Sequence, residues 1–478
     1  MSSIDRINRY IRRSATFKLI GVAILALLLL IPASMVDSLI YERQQLRDQA
    51  VDQIASTWGG PQRLAGPVLQ VPYAQYYPAR NNNEAGYTDR GSAYFLPDVL
   101  NISGNTASEE RYRGIYVAVL YTGDVQVSGS FDSLELDRLS VPASALDWSK
   151  ARLCFGVEDL RGIDSLTELS FGTSSVAFEP GTPAAAVVST GFQAPVTVNP
   201  AQSTEFSFAL SLRGSSQLSF MPLAALTNVK LTSDWDTPKF TGAFLPDDRT
   251  VDETGFGASW TVLEVNRPFA QEGTLKTDQA GIRPLQLSHA NYDRYDYAGI
   301  EPTMSATAGT NFGGFDFGVH YLLPVDEYRK ISRSAKYSAL FIAATFLTFF
   351  FIEVLNRRRL HPVQYLLVGF AVVLFYILLL SLSEHIGFDL SYAISVGLIL
   401  GLVTGYSYAV LRNVKLTVLV AGILTLLYGF FYSLLQLEEY SLLLGSLGLL
   451  LALATVMYLT RRTDWYNLAT ADDEDAGF

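Results

Sequence analysis

The 478-residue chain carries 35 Lys and Arg against 46 Asp and Glu, a net charge of -11, and its charged fraction of 17% falls below the roughly 25% usual in soluble domains. Acidity without a basic stripe interleaved with aromatics excludes a nucleic-acid partner. A single cysteine, Cys154, excludes an intrachain disulfide, and four scattered histidines, His289, His320, His361 and His385, offer no metal-ligand spacing, so no metal or cofactor is expected.

The first 18 residues hold Arg6, Arg9, Arg12, Arg13 and Lys18 directly before the apolar run 19–36. A positive flank on an apolar run is an export signal. Pro32-Ala33-Ser34 offers a cut site for a cleaved signal peptide, but the run is longer than the roughly 7 to 15 residues of a cleaved segment. Leu39, Leu46, Ala50 and Ile54 then continue one helical face beyond it. The expectation is a retained transmembrane helix that runs on out of the bilayer to about Thr57, where Gly59-Gly60-Pro61 breaks it.

From residue 61 to about 324 the pattern changes to short β-branched and aromatic stretches between Gly, Pro, Asn and Asp clusters: 114–121, 125–131, 153–157, 206–212, 217–220, 229–232 and 256–265. These predict a large all-β, antiparallel sandwich-like domain, built as one sandwich or two. Tyr121-Thr122-Gly123-Asp124-Val125 and Leu212-Arg213-Gly214-Ser215-Ser216 read as hairpin turns. Phe95-Leu96-Pro97-Asp98 recurs as Phe244-Leu245-Pro246-Asp247, which hints at an internal duplication. The region contains no Ser-x-x-Lys, Gly-x-Ser-x-Gly or His-Glu-x-x-His signature. Asp159 and Arg161 could position a guanidinium for an anionic ligand or simply pair with each other. Trp235 and Trp260, with Phe240 and Phe244, suit either core packing or an aromatic groove for a glycan or lipid.

Five apolar runs follow, 337–355, 363–382, 388–411, 416–437 and 442–459, each near the roughly 20 residues needed to cross a bilayer core of about 30 Å. With the first helix they predict six spans. Arg357-Arg358-Arg359, Arg412, Lys415 and Arg461-Arg462 all fall on the side of the N-terminus, whereas Glu384-His385 and Glu438-Glu439 fall opposite. Both termini are therefore expected in the cytoplasm and the β domain outside it. Arg329, Lys330, Arg333 and Lys336 dissent, but they follow a long translocated domain, where the charge bias is weak. The resulting organisation is a cytoplasmic basic segment 1–18, a first span 19–36, an extracytoplasmic β-rich domain 37–333 with helical stalk segments at both connections, a five-helix membrane bundle 334–460 and an acidic cytoplasmic tail 461–478.

Polar groups near these spans are the natural place to look for chemistry, because lipid makes them costly. Glu353 precedes Arg357 by one helical turn, which suggests an interfacial pair, with a proton or ion relay as the alternative. Glu384 and His385 sit at a span end as interfacial groups able to bind a proton or a partner. His361-Pro362 opens a span, so His361, Gln364 and Tyr365 read as a packed helix start and headgroup contact.

The stretch Arg359-Leu360-His361-Pro362-Val363-Gln364-Tyr365-Leu366-Leu367-Val368-Gly369, with Ser381-Leu382-Ser383-Glu384-His385 and Asp464-Trp465-Tyr466, resembles the inner-membrane CreD family. So do Gly60-Pro61-Gln62 with Gly66-Pro67, the stretch from Ser233-Asp234-Trp235 to Phe244-Leu245-Pro246, and Thr254-Gly255-Phe256 with Trp260. The resemblance spans nearly the whole chain and departs from it only at the ends. It implies a Gram-negative inner-membrane protein with a large periplasmic domain, tied to envelope integrity and expressed under a two-component sensor and regulator. It brings no catalytic residue.

Three functions are consistent with these residues. The first is a non-enzymatic envelope protein whose β domain binds a periplasmic or membrane protein or an envelope component, with the bundle as its anchor in the lipid bilayer. The alternatives are a transporter or channel using polar groups of the spans, and a membrane-bound enzyme acting on lipid or glycan.

Overall fold

A computed structural model describes residues 15–78, 86–183, 187–276, 314–321, 327–356, 360–437 and 440–461. Arg6 to Arg13, His289, Arg357-Arg358-Arg359, Glu438-Glu439, Arg462 and the acidic tail lie outside the described residues. The chain divides into a helical unit, Met1–Arg47 with Val325–Phe478, and a β unit, Asp48–Pro324.

The helices are α1 (Ala15–Trp58), α2 (Glu327–Lys336), α3 (Ser338–Leu355), α4 (Pro362–Ile386), α5 (Phe388–Leu411), α6 (Val414–Gln436) and α7 (Ser441–Thr460). Among the described residues α1, α4, α5 and α6 are long and apolar enough to cross a membrane, and α2 with α3 makes a fifth if their 47° bend lies within one span. The apolar stretch of α7, Leu443–Tyr458, is shorter. Helix α1 is continuous over 44 residues, as its periodic apolar positions suggested, and it accommodates Pro32 in its interior. At Gly369 of α4 a β-carbon would collide with the tip of Leu29 of α1 and crowd the Phe346 ring of α3, so this glycine leaves room for both side chains. Arg47 of α1 lies over the ring of Tyr328 of α2, 5.5 Å from its centroid.

The β unit contains, in chain order, β1 (Gln62–Tyr77), β2 (Tyr87–Phe95), β3 (Val99–Arg113), β4 (Tyr116–Phe131), β5 (Arg152–Val157), β6 (Ile163–Leu166), β7 (Leu169–Phe171), β8 (Ser174–Val176) and β9 (Glu179–Pro180). These are followed by β10 (Gly191–Pro195), β11 (Thr204–Ser215), β12 (Gln217–Met221), β13 (Leu226–Ser233), β14 (Pro238–Gly242), β15 (Asp248–Asp252), β16 (Gly255–Leu263), β17 (Glu272–Lys276) and β18 (Phe317–Tyr321). One nine-stranded sheet runs β14-β18-β12-β1-β5-β10-β9 and carries β2 on β1 and β17 on β2; the other runs β15-β16-β13-β3-β4-β11-β7-β8 and carries β6 on β11. Pairing is mostly antiparallel as expected, but β1 with β12 and β13 with β3 are parallel, so both sheets are mixed.

Alternation explains the second sheet: along β3, Leu100, Ile102, Gly104 and Thr106 are buried while Asn101, Ser103 and Asn105 face out. Inward residues of the two sheets form one apolar core, including Leu64, Leu153 and Phe317 from the first and Ile102, Val127 and Trp260 from the second. Rings meet across it in the pairs Tyr121–Tyr321 at 4.8 Å, Phe155–Phe208 at 5.1 Å and Trp260–Phe317 at 5.6 Å. Each such pair adds about 0.5 to 1.5 kcal/mol beyond the area it buries.

Both expected hairpin turns are corrected by this topology. Gly123-Asp124 runs straight through β4, with Gly123 facing in against Thr106 where side-chain space is tight, and the reversal lies earlier at Gly114, which has a φ of 64°. The chain does turn at Ser216, with a φ of 62°, but β11 and β12 belong to different sheets, so the turn is a corner between sheets. The recurring Phe-Leu-Pro-Asp element has a structural counterpart at both sites. Each copy leads from the first sheet, β2 or β14, into a hairpin of the second, β3–β4 or β15–β16. In each, the Asp donates its N–H to the returning strand, Asp98 to Ser130 O and Asp247 to Ser259 O, both within 2.9 Å. Its carboxylate accepts the N–H two residues further on, from Asp132 at 2.6 Å and from Thr261 at 2.7 Å.

Candidate functional site

The polar residues of the helical unit cluster at two levels along α1. At the first, Glu353 of α3 is 5% exposed, and its two oxygens are both engaged: Lys18 Nζ of α1 lies 3.0 Å from one, and the Tyr365 hydroxyl of α4 donates to the other at 2.8 Å. Arg357, the partner expected from spacing, lies outside the described residues. His361 acts as the cap of α4: its Nδ1 accepts from Val363 N at 3.3 Å, and its own N–H donates to Gln364 Oε1 at 3.0 Å. Together they form a reciprocal capping box. Tyr365 is therefore more than a packed helix start, since it binds the buried carboxylate.

The second level gathers Glu384 of α4, which accepts from the Tyr328 hydroxyl of α2 at 3.0 Å and lies 3.9 Å from Arg43 Nη1 of α1. His385 is exposed in the last turn of α4. Lys18 and Arg43 are separated by 25 residues of one helix, which at about 1.5 Å per residue places the two ion pairs roughly 38 Å apart. That spacing sits between the hydrocarbon thickness of a bilayer, about 30 Å, and its full thickness of about 40–45 Å.

In the β unit, Asp159 and Arg161 pair in a fork of two bonds at 2.9 Å. The same carboxylate accepts from Gly60 N at 3.0 Å and Arg161 N at 3.1 Å. Burial acts to raise the Asp159 carboxyl, but the Arg161 side chain and these backbone donors outweigh it and hold the group below its ordinary value. Arg161 also reaches Ser56 O at 3.2 Å. The pair is a fastener between the end of α1 and the sheet, with the guanidinium committed to Asp159 and Ser56 rather than held out for an anion. Trp260 is 1% exposed and packs on Phe240 and Phe317, so it belongs to the core. Trp235 is half-buried at the edge of the same core and also lines an open cavity of about 400 Å³ with Ser108, Glu109, Glu110, Asp234, Asp236 and Glu253. Cys154 is fully buried against Gln70, and burial pushes its thiol up to about 12, which leaves it unreactive.

A family model described as inner membrane protein CreD matches residues 14–466. The chain belongs to the CreD family. Inner membrane protein CreD of Escherichia coli (strain K12) is 33% identical over 444 residues, covering 92% of this chain and 91% of that protein. The apolar helices and this family together fit an inner-membrane location. An M1 zinc metallopeptidase from Deinococcus radiodurans overlaps 34% of this chain and 38% of its own at a TM-score of 0.19 and 7% identity, a likeness that carries no argument about fold or chemistry.

The motifs that mark this CreD-family chain are largely fasteners of the fold. Gln62, 1% exposed, donates to Asp159 O and Arg213 O, each at 3.0 Å, and accepts from Asp159 N. Gly59, at a φ of 155°, leaves only 2.6 Å between an added β-carbon and Arg213 O, so the break after α1 demands glycine. Trp58 closes α1 between the guanidinium groups of Arg111 and Arg213, 4.8 and 5.1 Å from its ring, while its indole N–H donates to Tyr121 O at 3.4 Å. Sequence reasoning missed Lys18, Arg43 and Tyr328 as partners of the two glutamates. Their separations along the chain leave no periodic signal.

Proposed function

We propose that this chain is a six-span protein with both termini in the cytoplasm and its β unit, sandwich-like, in the periplasm. It supports envelope integrity without catalysing a reaction, and the β unit engages a periplasmic or membrane partner, or an envelope component, of basic character. The observation that carries this reading is the cavity around Trp235, where five carboxylates, Glu109, Glu110, Asp234, Asp236 and Glu253, surround one indole. A cation beside an aromatic face and opposed carboxylates is held by both charge and the ring quadrupole. Part of this acidity is already committed, because Arg111 pairs with Glu109 and Ser108 N donates to Asp234. Glu110 accepts from the Tyr112 hydroxyl and Asp236 from the Thr237 hydroxyl, bonds to neutral groups that leave their charge in place, and with Glu253 they supply the remaining field. The ion pairs at Lys18 and Arg43 support the membrane placement of α1, and the loop charges support the orientation.

The test is in-cell photo-cross-linking from a reactive amino acid at Trp235 in the full-length protein, with Glu110→Lys and Asp236→Lys as charge reversals. A discrete adduct that both reversals weaken supports the reading, and an adduct pattern indifferent to charge sinks it. Reporter fusions after Arg359, Lys415 and Arg462 are expected to read cytoplasmic, and those after Asp124, His385 and Glu439 external; one robust inversion among the last three spans defeats the six-span arrangement. Transport is the second reading, favoured by the buried hydroxyls of the helical unit.

A further inference from the structure

The helical unit buries hydroxyls that no group among the described residues satisfies. Tyr376 and Tyr428 are 1% and 2% exposed, Ser391 and Ser395 are each 0% exposed, and none of the four hydroxyls has a hydrogen-bond partner among those residues. A helical Ser or Thr has a ready partner in the carbonyl one turn back, as Thr348 shows with Ala344 O at 2.8 Å, yet neither serine uses it. Leaving a hydroxyl dry and unpaired costs about 1–3 kcal/mol, and native proteins rarely leave such groups without a partner, protein or water.

These groups converge. Tyr376 of α4, Tyr392 of α5 and Tyr428 of α6 all surround Phe375, with ring centroids 5.0, 5.6 and 5.0 Å from its own. The Tyr392 hydroxyl donates to Tyr428 O at 2.7 Å, which ties α5 to α6. Ser391 and Ser395 share the buried stripe of α5 with Tyr392, one turn apart. Polarity continues from here to one end of the bundle. The ring of Tyr432 lies 5.2 Å from Tyr392, and its hydroxyl donates to the exposed Asp389 at 3.0 Å, as does Gln436 Nε2 at 2.7 Å.

We propose that the seam between α4, α5 and α6 admits water and small uncharged hydroxylated solutes from the Asp389 end, with Tyr376, Tyr392, Tyr428, Ser391 and Ser395 as its hydrogen-bonding lining. These five side chains carry no charge, so an ion entering among them loses hydration with no opposite charge to offset it, whereas a polyol trades hydrogen bonds with water for equivalent bonds to hydroxyls and sets its C–H faces on the rings. This inference stands apart from any role of the β unit.

The test uses full-length protein in phosphatidylethanolamine–phosphatidylglycerol nanodiscs, with Ser391→Cys and Ser395→Cys modified by the uncharged, water-soluble 2-hydroxyethyl methanethiosulfonate. The parent protein, with only buried Cys154, gives the background, and Ile399→Cys, on the same stripe and 2% exposed, is the packed control. Both serine positions are expected to react at least about tenfold faster than Ile399→Cys, because modification follows access of water to the thiol. Molar glycerol is expected to slow both without slowing Glu135→Cys, at an exposed site of the β unit. Reaction of both serine positions at the Ile399→Cys rate overturns the hydrated seam. Fast reaction indifferent to glycerol overturns the solute site.

Discussion

Asp159 is expected to matter far more than the arginine that pairs with it. Its side chain is 11% exposed and Arg161 is 68% exposed, so the shared ion pair lies mostly in water on the arginine side. The carboxylate also serves Gly60 N and Arg161 N, and Gly60 follows directly on the end of α1. Asp159→Ala strands those donors at a partly buried junction. A hydrogen bond to a charged acceptor contributes about 1.5–3 kcal/mol. In a unit of this size, a shift of about 2–4 °C per kcal/mol gives a drop of about 3–12 °C in Tm. Arg161→Ala leaves the backbone donors satisfied and gives up only an exposed ion pair and the bond to Ser56 O, so it is expected to cost far less stability than Asp159→Ala. Burial raises the Asp159 carboxyl, but the Arg161 side chain and then the backbone donors outweigh it and hold it below its ordinary value, so its contribution is complete above the unfolded carboxyl's pKa of about 3.9 and is lost as pH falls through the lower folded value. The gap between parent and Asp159→Ala should therefore hold constant at neutral pH and close only in strong acid. Calorimetry of the full-length protein in nanodiscs reads both effects. A loss in Arg161→Ala equal to that in Asp159→Ala, or a shift below about 1 °C in the latter, refutes the fastener reading.

Other substitutions probe the remaining parts. Lys18→Ala should cost more stability than Glu353→Gln, on the order of 3 kcal/mol, because it leaves a buried carboxylate with Tyr365 as its remaining partner among the described residues; thermal unfolding with the reverse ranking would refute the Lys18–Glu353 ion pair as a stabilising contact. Gly369→Val should cost about 1–3 kcal/mol by displacing the Leu29 and Phe346 side chains from a packed position, read as a lower Tm in nanodiscs. Asp98→Ala and Asp247→Ala should each cost about 1 kcal/mol, since both carboxylates make the same bond to a returning strand; a neutral result in one breaks the structural repeat. Trp260→Ala should cost about 3–5 kcal/mol as a core cavity, whereas Trp235→Ala, at a half-buried position on the edge of that core, should cost less and reduce cross-linking to a partner.

Much of this protein is legible in its sequence through local physics. Apolar runs near bilayer length, a basic flank and a Gly-Gly-Pro break are one-dimensional signals, and α1 and α3 to α6 lie where those runs do. β-branched and aromatic stretches between turn residues located β5, β11, β13 and β16 for the same reason, and the motifs shared with the CreD family are likewise contiguous in the chain. Which strands pair was not legible, because alternation fixes the face a side chain takes and says nothing of its neighbour. Gly123-Asp124 therefore read as a turn, although it lies inside β4 with the glycine facing a tight core position. The partners of Glu353 were equally hidden. A helical turn offers Arg357 from the sequence alone, whereas Lys18, hundreds of residues away, meets the carboxylate only because α1 packs beside α3. The same distinction separates the two tryptophans, alike in sequence: Trp260 faces inward from β16 and Trp235 lies just past the end of β13, where the chain leaves the sheet beside an acidic cavity.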